Sequence, residues 1–257
     1  MKDVNTSQEN TWCPGCLNFV TLAMLKKALV DLSAEGRIDI DRTVLVADIG
    51  CGAKIYDYIN VNAVYSLHGR VIPVAAGISA VRPDLTVIGF AGDGGTYDEG
   101  MNHLIHSAKK NVNMTMIVGD NRVFALTKGQ PTSTSDEGSK KPLSPLVLAA
   151  DAGATFVART SAYHAEHMLD IIKKAIVHEG FSLVDILQPC LIFKNDADEI
   201  RGSVKILAGD DVDKNLEILR KETEKMPVGI FVDDRKIGGK SELADKKTKV
   251  ANRKNRS

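Results

Sequence analysis

Short, nearly unbroken apolar runs rich in β-branched residues alternate along the chain with longer stretches whose apolar positions recur at helical spacing. The runs are TVLVADI (43–49), LTVIGFA (85–91), MTMIVGD (114–120), TFVART (155–160) and FSLVDILQ (181–188). A run without a polar face reads as a strand buried on both sides, as in parallel sheets covered by helices. Between the runs the spacing predicts helices over 17–32, 70–82, 99–110, 144–152 and 162–179. Pro83, Gly153 and Gly180 stand at their stops, where proline cannot continue a helix and glycine suits the left-handed residue after it. Strands alternating with helices build βαβ units, so the expected fold class is α/β, a doubly wound and mostly parallel sheet. Beyond Cys190 the character changes to a charged helix at 211–225, Pro227 and a short apolar run, VGIFV. We therefore expect a main α/β domain over 1–200, a C-terminal extension wrapping it over 201–234, and a tail over 235–257.

Composition narrows the classes. A length of 257 residues suits one core of medium size; 44% hydrophobic and 26% charged residues, with 33 basic against 33 acidic side chains, are ordinary globular values. They exclude a collagen-like, disordered or generally basic nucleic-acid-coating chain. No apolar run approaches the ~18 residues of a membrane helix, and the polar start MKDVNTSQEN lacks the pattern of a secretory leader. The expectation is a cytoplasmic protein with neither membrane nor nucleic acid as partner. Charge is uneven along the chain: residues 235–257 hold nine Lys/Arg against Glu242 and Asp245, net +7, which leaves −7 on the rest. With almost no apolar periodicity, that tail reads as a solvated end.

The first candidate chemistry lies at strand ends. LTVIGFA runs into Gly92-Asp93-Gly94-Gly95, and MTMIVGD ends at Asp120-Asn121, 28 residues after Asp93. Ligands of open α/β sheets bind at the carboxyl ends of strands. Glycines let backbone N–H groups approach a phosphate, and an aspartate supplies a hard oxygen suited to Mg²⁺. About 28 residues accommodate one turn, one crossover helix and one returning strand, so Asp93 and Asn121 are expected to face one another. With the carbonyl of Val123 they make a donor set of low charge that leaves octahedral positions for diphosphate oxygens and water. Each motif alone is common turn chemistry; the joint placement resembles the thiamine diphosphate motif.

The second is the cysteines. Cys13-Pro14-Gly15-Cys16 is a C-x₂-C pair; Cys51 follows the first strand in Asp48-Ile49-Gly50-Cys51-Gly52, and Cys190 follows the last. Four cysteines are too sparse for a disulfide scaffold of this length. Gathered at loop ends, four thiolates suit tetrahedral Zn²⁺ or a [4Fe–4S] cube. Buried packing cysteines and a redox pair are the other readings, although no apolar strand precedes CPGC as a thioredoxin-like pair requires.

Taken in order, WCPGC, DIGC followed by Lys-Ile, LHGR, GDG, DN with LTKGQ, and QPC resemble the β subunit of 2-oxoacid:ferredoxin oxidoreductases over about residues 12–195. The resemblance implies a sheet of the thiamine diphosphate-binding type and a [4Fe–4S] cluster on Cys13, Cys16, Cys51 and Cys190. It implies Mg²⁺ and thiamine diphosphate at Asp93, Asn121 and Val123, with Gly50, Gly92, Gly94, Gly95, Leu126 and Thr127 beside the cofactor and His68, Gly69 and Arg70 approaching it. Implied partners are an α subunit carrying the pyrimidine side of the site with its activating carboxylate, a ferredoxin or similar carrier, a 2-oxoacid and coenzyme A. Lys54 and Lys128 are candidates for meeting the substrate carboxylate, and Gln130 borders them. Gly95 departs from the family's usual GDGD, Leu17 from the glycine after CPGC, and Gly52-Ala53 from Ser-Ser after the third cysteine. His103, His106, His164, His167 and His178 fall in predicted helices as surface or capping residues. Two other functions compete: a non-redox thiamine decarboxylase subunit with structural zinc, and a zinc-stabilised interaction module.

Overall fold

The computed structural model describes residues 3–136, 141–194, 196–207, 211–221 and 226–234. In chain order the helices and strands are α1 (Asn18–Ala34), β1 (Thr43–Ala47), α2 (Ile55–Tyr58), β2 (Asn62–Tyr65), α3 (Val71–Val81), β3 (Thr86–Gly92), α4 (Met101–Lys109), β4 (Met114–Asp120), β5 (Val123–Phe124), β6 (Gln130–Pro131), α5 (Pro145–Ala152), β7 (Phe156–Ser161), α6 (Ala165–Ile176), β8 (Phe181–Leu187), α7 (Ala197–Ser203), β9 (Val204–Ile206), α8 (Val212–Arg220) and β10 (Met226–Asp233). Eight strands form one sheet in the order β2-β1-β3-β4-β8-β7-β10-β9, and β5 and β6 make a separate small hairpin. Every pairing in the large sheet is parallel except β10 against β7.

Apolar runs make this sheet because its centre has no wet face. Every residue of β4, β7 and β8 is buried. Side chains alternate across the pleat: Ile88, Phe90, Ile117, Phe156, Val184 and Ile186 face α1 and α6, whereas Val87, Met116, Val118, Val157 and Leu183 face α3, α4, α5 and α8. Truncating one of the fully buried rings, Phe90 or Phe156, to alanine removes about 3–5 kcal/mol of packing.

The five expected strands are all present, displaced by at most two residues at either end, and the five expected helices match α1, α3, α4, α5 and α6. Four strands escaped the pattern, as did the short helices α2 and α7. Strand β2, NAVY, lies at the sheet edge with three of four residues exposed, so it has no apolar run to show. The β5/β6 hairpin is two residues a side. Strand β9 is three residues long and mostly exposed.

The segment expected to wrap the core instead extends the sheet: VGIFV belongs to β10, with Val228 and Phe231 buried. The helix expected at 211–225 is α8, Val212–Arg220; residues 222–225 and the basic tail 235–257 lie outside the described residues. Among the described residues no helix is long and apolar enough to cross a membrane.

Strand β1 is the switch point. From it the chain steps out to β2, and after α3 returns on the other side as β3. The loops following β1, β3 and β4 therefore meet at one crevice beyond the carboxyl ends of the strands, where open α/β sheets bind ligands.

Candidate active site

Asp93 follows β3 and is 1% exposed. Its Oδ2 accepts from Thr132 Oγ1 at 2.6 Å and from Thr134 Oγ1 at 3.4 Å, and its Oδ1 faces the backbone N–H of Asn121 at 3.5 Å. The expected meeting of Asp93 and Asn121 thus arises from the pairing of β3 with β4. Asn121 Oδ1 accepts from Val123 N at 3.0 Å, an Asx-turn that presents the amide beside the carboxylate. Burial, and after it the negative charge of Asp120, pushes the Asp93 carboxyl well above the usual carboxylate range. A desolvated acid repelled by a second acid is a place that a cation relieves.

After Asp93 the chain makes a wide π-helical turn, Gly94–Asp98, in which Thr96 Oγ1 donates to Gly92 O at 2.9 Å. Tyr97 points from this turn into the core, where its hydroxyl donates to Asp185 Oδ1 at 2.8 Å. Arg159 Nε donates to Asp185 Oδ2 at 2.9 Å, and burial raises Asp185 to about 6 against the lowering charge of Arg159. This buried set anchors the Gly94–Asp98 turn to β7 and β8.

His68 and Gly69 stand opposite, between β2 and α3. Gly69 has φ 69°, and a Cβ there would lie 2.7 Å from Glu99 Cβ, so the close approach of these two loops requires glycine. Arg70 Nη1 donates to Gly69 O and Glu99 O at 3.1 and 3.2 Å, tying the same loops together. Gly50 lies in the turn after β1 with φ 104°. Leu126, exposed, and Thr127 lie in the loop of the β5/β6 hairpin, where Thr127 Oγ1 donates to Gln130 Oε1 at 2.6 Å; Lys128 follows in the left-handed region with φ 77°. Lys54 sits elsewhere: its Nζ donates to Thr11 Oγ1 at 3.0 Å, and its charge acts on Cys51.

All four cysteines are free thiols. Cys13 and Cys16 share a turn closed by Cys16 N to Cys13 O at 3.0 Å, and Trp12 Nε1 donates to Cys51 O at 2.6 Å, which holds the first loop against the β1 turn. Burial pushes Cys16 up, and the charges of Cys13, Cys190 and Cys51 add to the rise; burial likewise raises Cys51 against Lys54, with Cys190 and Cys13 adding. The four therefore occupy one electrostatic neighbourhood. Among the described residues no three His, Cys, Asp or Glu side chains close around a single ion.

The sequence reading passed over Asp48, Asp120, Thr132, Thr134, Glu99 and Gln188. Asp48 and Asp120 carry the same signal as Asp93, an aspartate ending an apolar strand. Gln188 accepts from Thr21 and donates to Asn18, joining α1 to the end of β8, and nothing local in the sequence marks it.

Residues 48–186 match the family described as thiamine pyrophosphate enzyme, C-terminal TPP binding domain. The chain is 37% identical over 251 residues to the 2-oxoacid:ferredoxin oxidoreductase subunit beta of Saccharolobus solfataricus, covering 86% of this chain and 81% of that one. The chain belongs to the beta-subunit family of 2-oxoacid:ferredoxin oxidoreductases. The corresponding Sulfolobus subunit is 41% identical over 72% of this chain and 63% of its own length; 2-oxoglutarate synthase subunit KorB of Archaeoglobus fulgidus is 35% identical over 70% and 69%. A solved 2-oxoglutarate:ferredoxin oxidoreductase from Magnetococcus marinus, with 2-oxoglutarate, coenzyme A and succinyl-CoA bound, superposes with a TM-score of 0.89 at 32% identity over 98% of this chain and 89% of that one. In this beta subunit the matched domain contains Asp48, His68, Asp93 and Asn121, and of the cysteines only Cys51.

Proposed function

We propose that this chain is the cofactor-carrying half of an oxidoreductase that converts a 2-oxoacid and coenzyme A to acyl-CoA and CO₂, passing two electrons to a ferredoxin-type carrier and working in the cytoplasm. The observation that carries the reading is the buried Asp93 carboxylate set against Asn121 at the switch point. Asp93, Asn121 and the Val123 carbonyl would hold Mg²⁺; one carboxylate with neutral oxygens suits an ion that shares its ligands with a diphosphate. Gly50, Gly92, Gly94, Gly95, Leu126 and Thr127 would border the cofactor, with His68, Gly69 and Arg70 opposite. Cys13, Cys16, Cys51 and Cys190, which act on one another electrostatically, would hold a [4Fe–4S] centre, a cube whose four irons each take one thiolate. When bound, thiamine diphosphate supplies the electron sink for decarboxylation and the cluster takes electrons singly.

The residues of this chain then have separable tasks. Thr132 and Thr134 orient Asp93 by donating to its oxygens. Lys128, beside the β5/β6 loop, would meet a substrate carboxylate, whereas Lys54 donates to Thr11 and acts electrostatically on Cys51. An α subunit would complete the site and supply the activating carboxylate. The apolar residues left exposed beyond the strand ends, Ile49, Leu67, Leu126, Ile192 and Phe193, are the surface such a partner would cover.

The test is anaerobic purification of the chain with its partner subunit, followed by assay of 2-oxoacids with coenzyme A and a ferredoxin. The expected result is coenzyme A-dependent reduction of the carrier, with iron, sulfide and thiamine diphosphate bound. Substantial turnover by this chain alone would refute the half-site reading, and zinc in place of iron would refute the redox one.

A further inference from the structure

Asp48 has no part in the proposed ligand sets, yet it is the acid most closely fitted to the phosphate-side turn. It follows β1 and is completely buried. Its Oδ1 accepts from Gly69 N at 3.0 Å, and its Oδ2 lies 3.0 Å from His68 Nδ1. The other face of that oxygen is pressed on Gly95: a Cβ on residue 95 would stand 1.9 Å from Asp48 Oδ2 and 3.0 Å from His68 Cε1. The bare α-carbon of Gly95 therefore admits the Asp48–His68 pair to the wall of the Gly92–Gly95 turn. Phe124 meets the imidazole edge-on, with centroids 6.4 Å apart. The opposite nitrogen, Nε2, faces the crevice, 3.8 Å from Glu99 Oε1, on a side chain 35% exposed.

A carboxylate acceptor at Nδ1 decides which imidazole nitrogen carries the proton, because the other arrangement would set a lone pair against a lone pair. We infer that Asp48 is a positioning residue for His68, holding the ring as the Nδ1–H tautomer so that Nε2 is the atom presented to the diphosphate side of the site. When His68 is also protonated at Nε2 it donates toward that side as a cation flanked by Asp48 and Glu99, whose backbone carbonyl accepts from Arg70 Nη1. This rests on the proposed thiamine diphosphate site, but the tautomer itself does not depend on it.

The test uses Asp48→Asn and His68→Gln, singly and together, in the full chain assembled with its partner. Asparagine keeps the shape and can still accept from Gly69 N, but its amide donates to Nδ1 and reverses the tautomer. Nitrogen-15 NMR of histidine-labelled protein, at a pH where His68 is neutral, is expected to show Nδ1–H in the unsubstituted chain and Nε2–H in Asp48→Asn, the signal being assigned by its loss in His68→Gln. Affinity for thiamine diphosphate with Mg²⁺ is expected to fall about 10–100-fold in Asp48→Asn, the usual effect of losing such an outer partner. Asp48→Asn is expected to add nothing in the His68→Gln background, since it acts through that ring. An Nε2–H signal for His68 in the unsubstituted chain overturns the inference whether or not Asp48→Asn folds. Affinity within twofold of the unsubstituted chain, or losses that add in the double variant, also overturn it. If the unsubstituted complex binds no thiamine diphosphate, the functional reading fails while the tautomer result stands by itself.

Discussion

Gly95→Ala is the smallest change that challenges the packing of the site. The added methyl would fall 1.9 Å from Asp48 Oδ2, well inside contact distance, so the carboxylate or the turn has to move. Asp48 is fully buried and held by Gly69 N and His68, each at 3.0 Å. Hydrogen bonds to a charged group contribute about 1.5–3 kcal/mol each, so displacing the carboxylate from both costs about 3–6 kcal/mol. For a chain of this size each kcal/mol moves the melting temperature by about 2–4 °C, which gives a fall of about 6–24 °C. Asp48→Ala removes the colliding oxygens, so the double variant is expected to be more stable than the sum of the two single losses by about 2–3 kcal/mol, the coupling expected of residues in contact. Urea unfolding of the four proteins closes the cycle. A Gly95→Ala protein melting within about 2 °C of the unsubstituted chain, or strictly additive losses, would falsify the claim that Asp48 occupies the space residue 95 leaves.

Asp93→Asn is expected to abolish Mg²⁺-dependent binding of thiamine diphosphate, measured by calorimetry, while stability at neutral pH holds or rises because a buried charge has been removed. Asp185, raised to about 6, binds its proton more tightly folded than unfolded. Its contribution to stability is therefore greatest below about pH 4 and declines as pH rises to about 6, by up to about 3 kcal/mol; Asp185→Asn is expected to flatten that part of a stability-against-pH curve. Cys190→Ala is expected to cost the purified complex its iron and sulfide while bound thiamine diphosphate remains, and equal iron in the two proteins refutes the cluster assignment.

How much was legible in the chain depended on whether the signal was local. The strands β1, β3, β4, β7 and β8 announced themselves because burial on both faces demands an unbroken apolar run, and α1, α3, α4, α5 and α6 because a covered sheet demands an apolar helix stripe. Strand β2 stayed hidden because an exposed edge makes no such demand, and β10 lacked the signature of a sheet strand because β9, the strand that α8 links to it, is three residues long and mostly exposed, so no apolar run marks the start of that crossover. The Asp93–Asn121 pair was legible because one βαβ crossover has a set length. Asp48 was not, since its importance comes from Gly95, whose missing side chain is visible only when the two turns are seen in contact.

The order of apolar runs, glycine turns and cysteines thus determined by itself that this is an α/β chain with glycine turns, aspartates and cysteines gathered near its strand ends. Tertiary structure alone decided the sheet order, the common electrostatic neighbourhood of the cysteines, and the seat of Asp48 between His68 and Gly95. Periodicity and spacing act between neighbours along the chain, whereas these depend on which loops the sheet sets side by side.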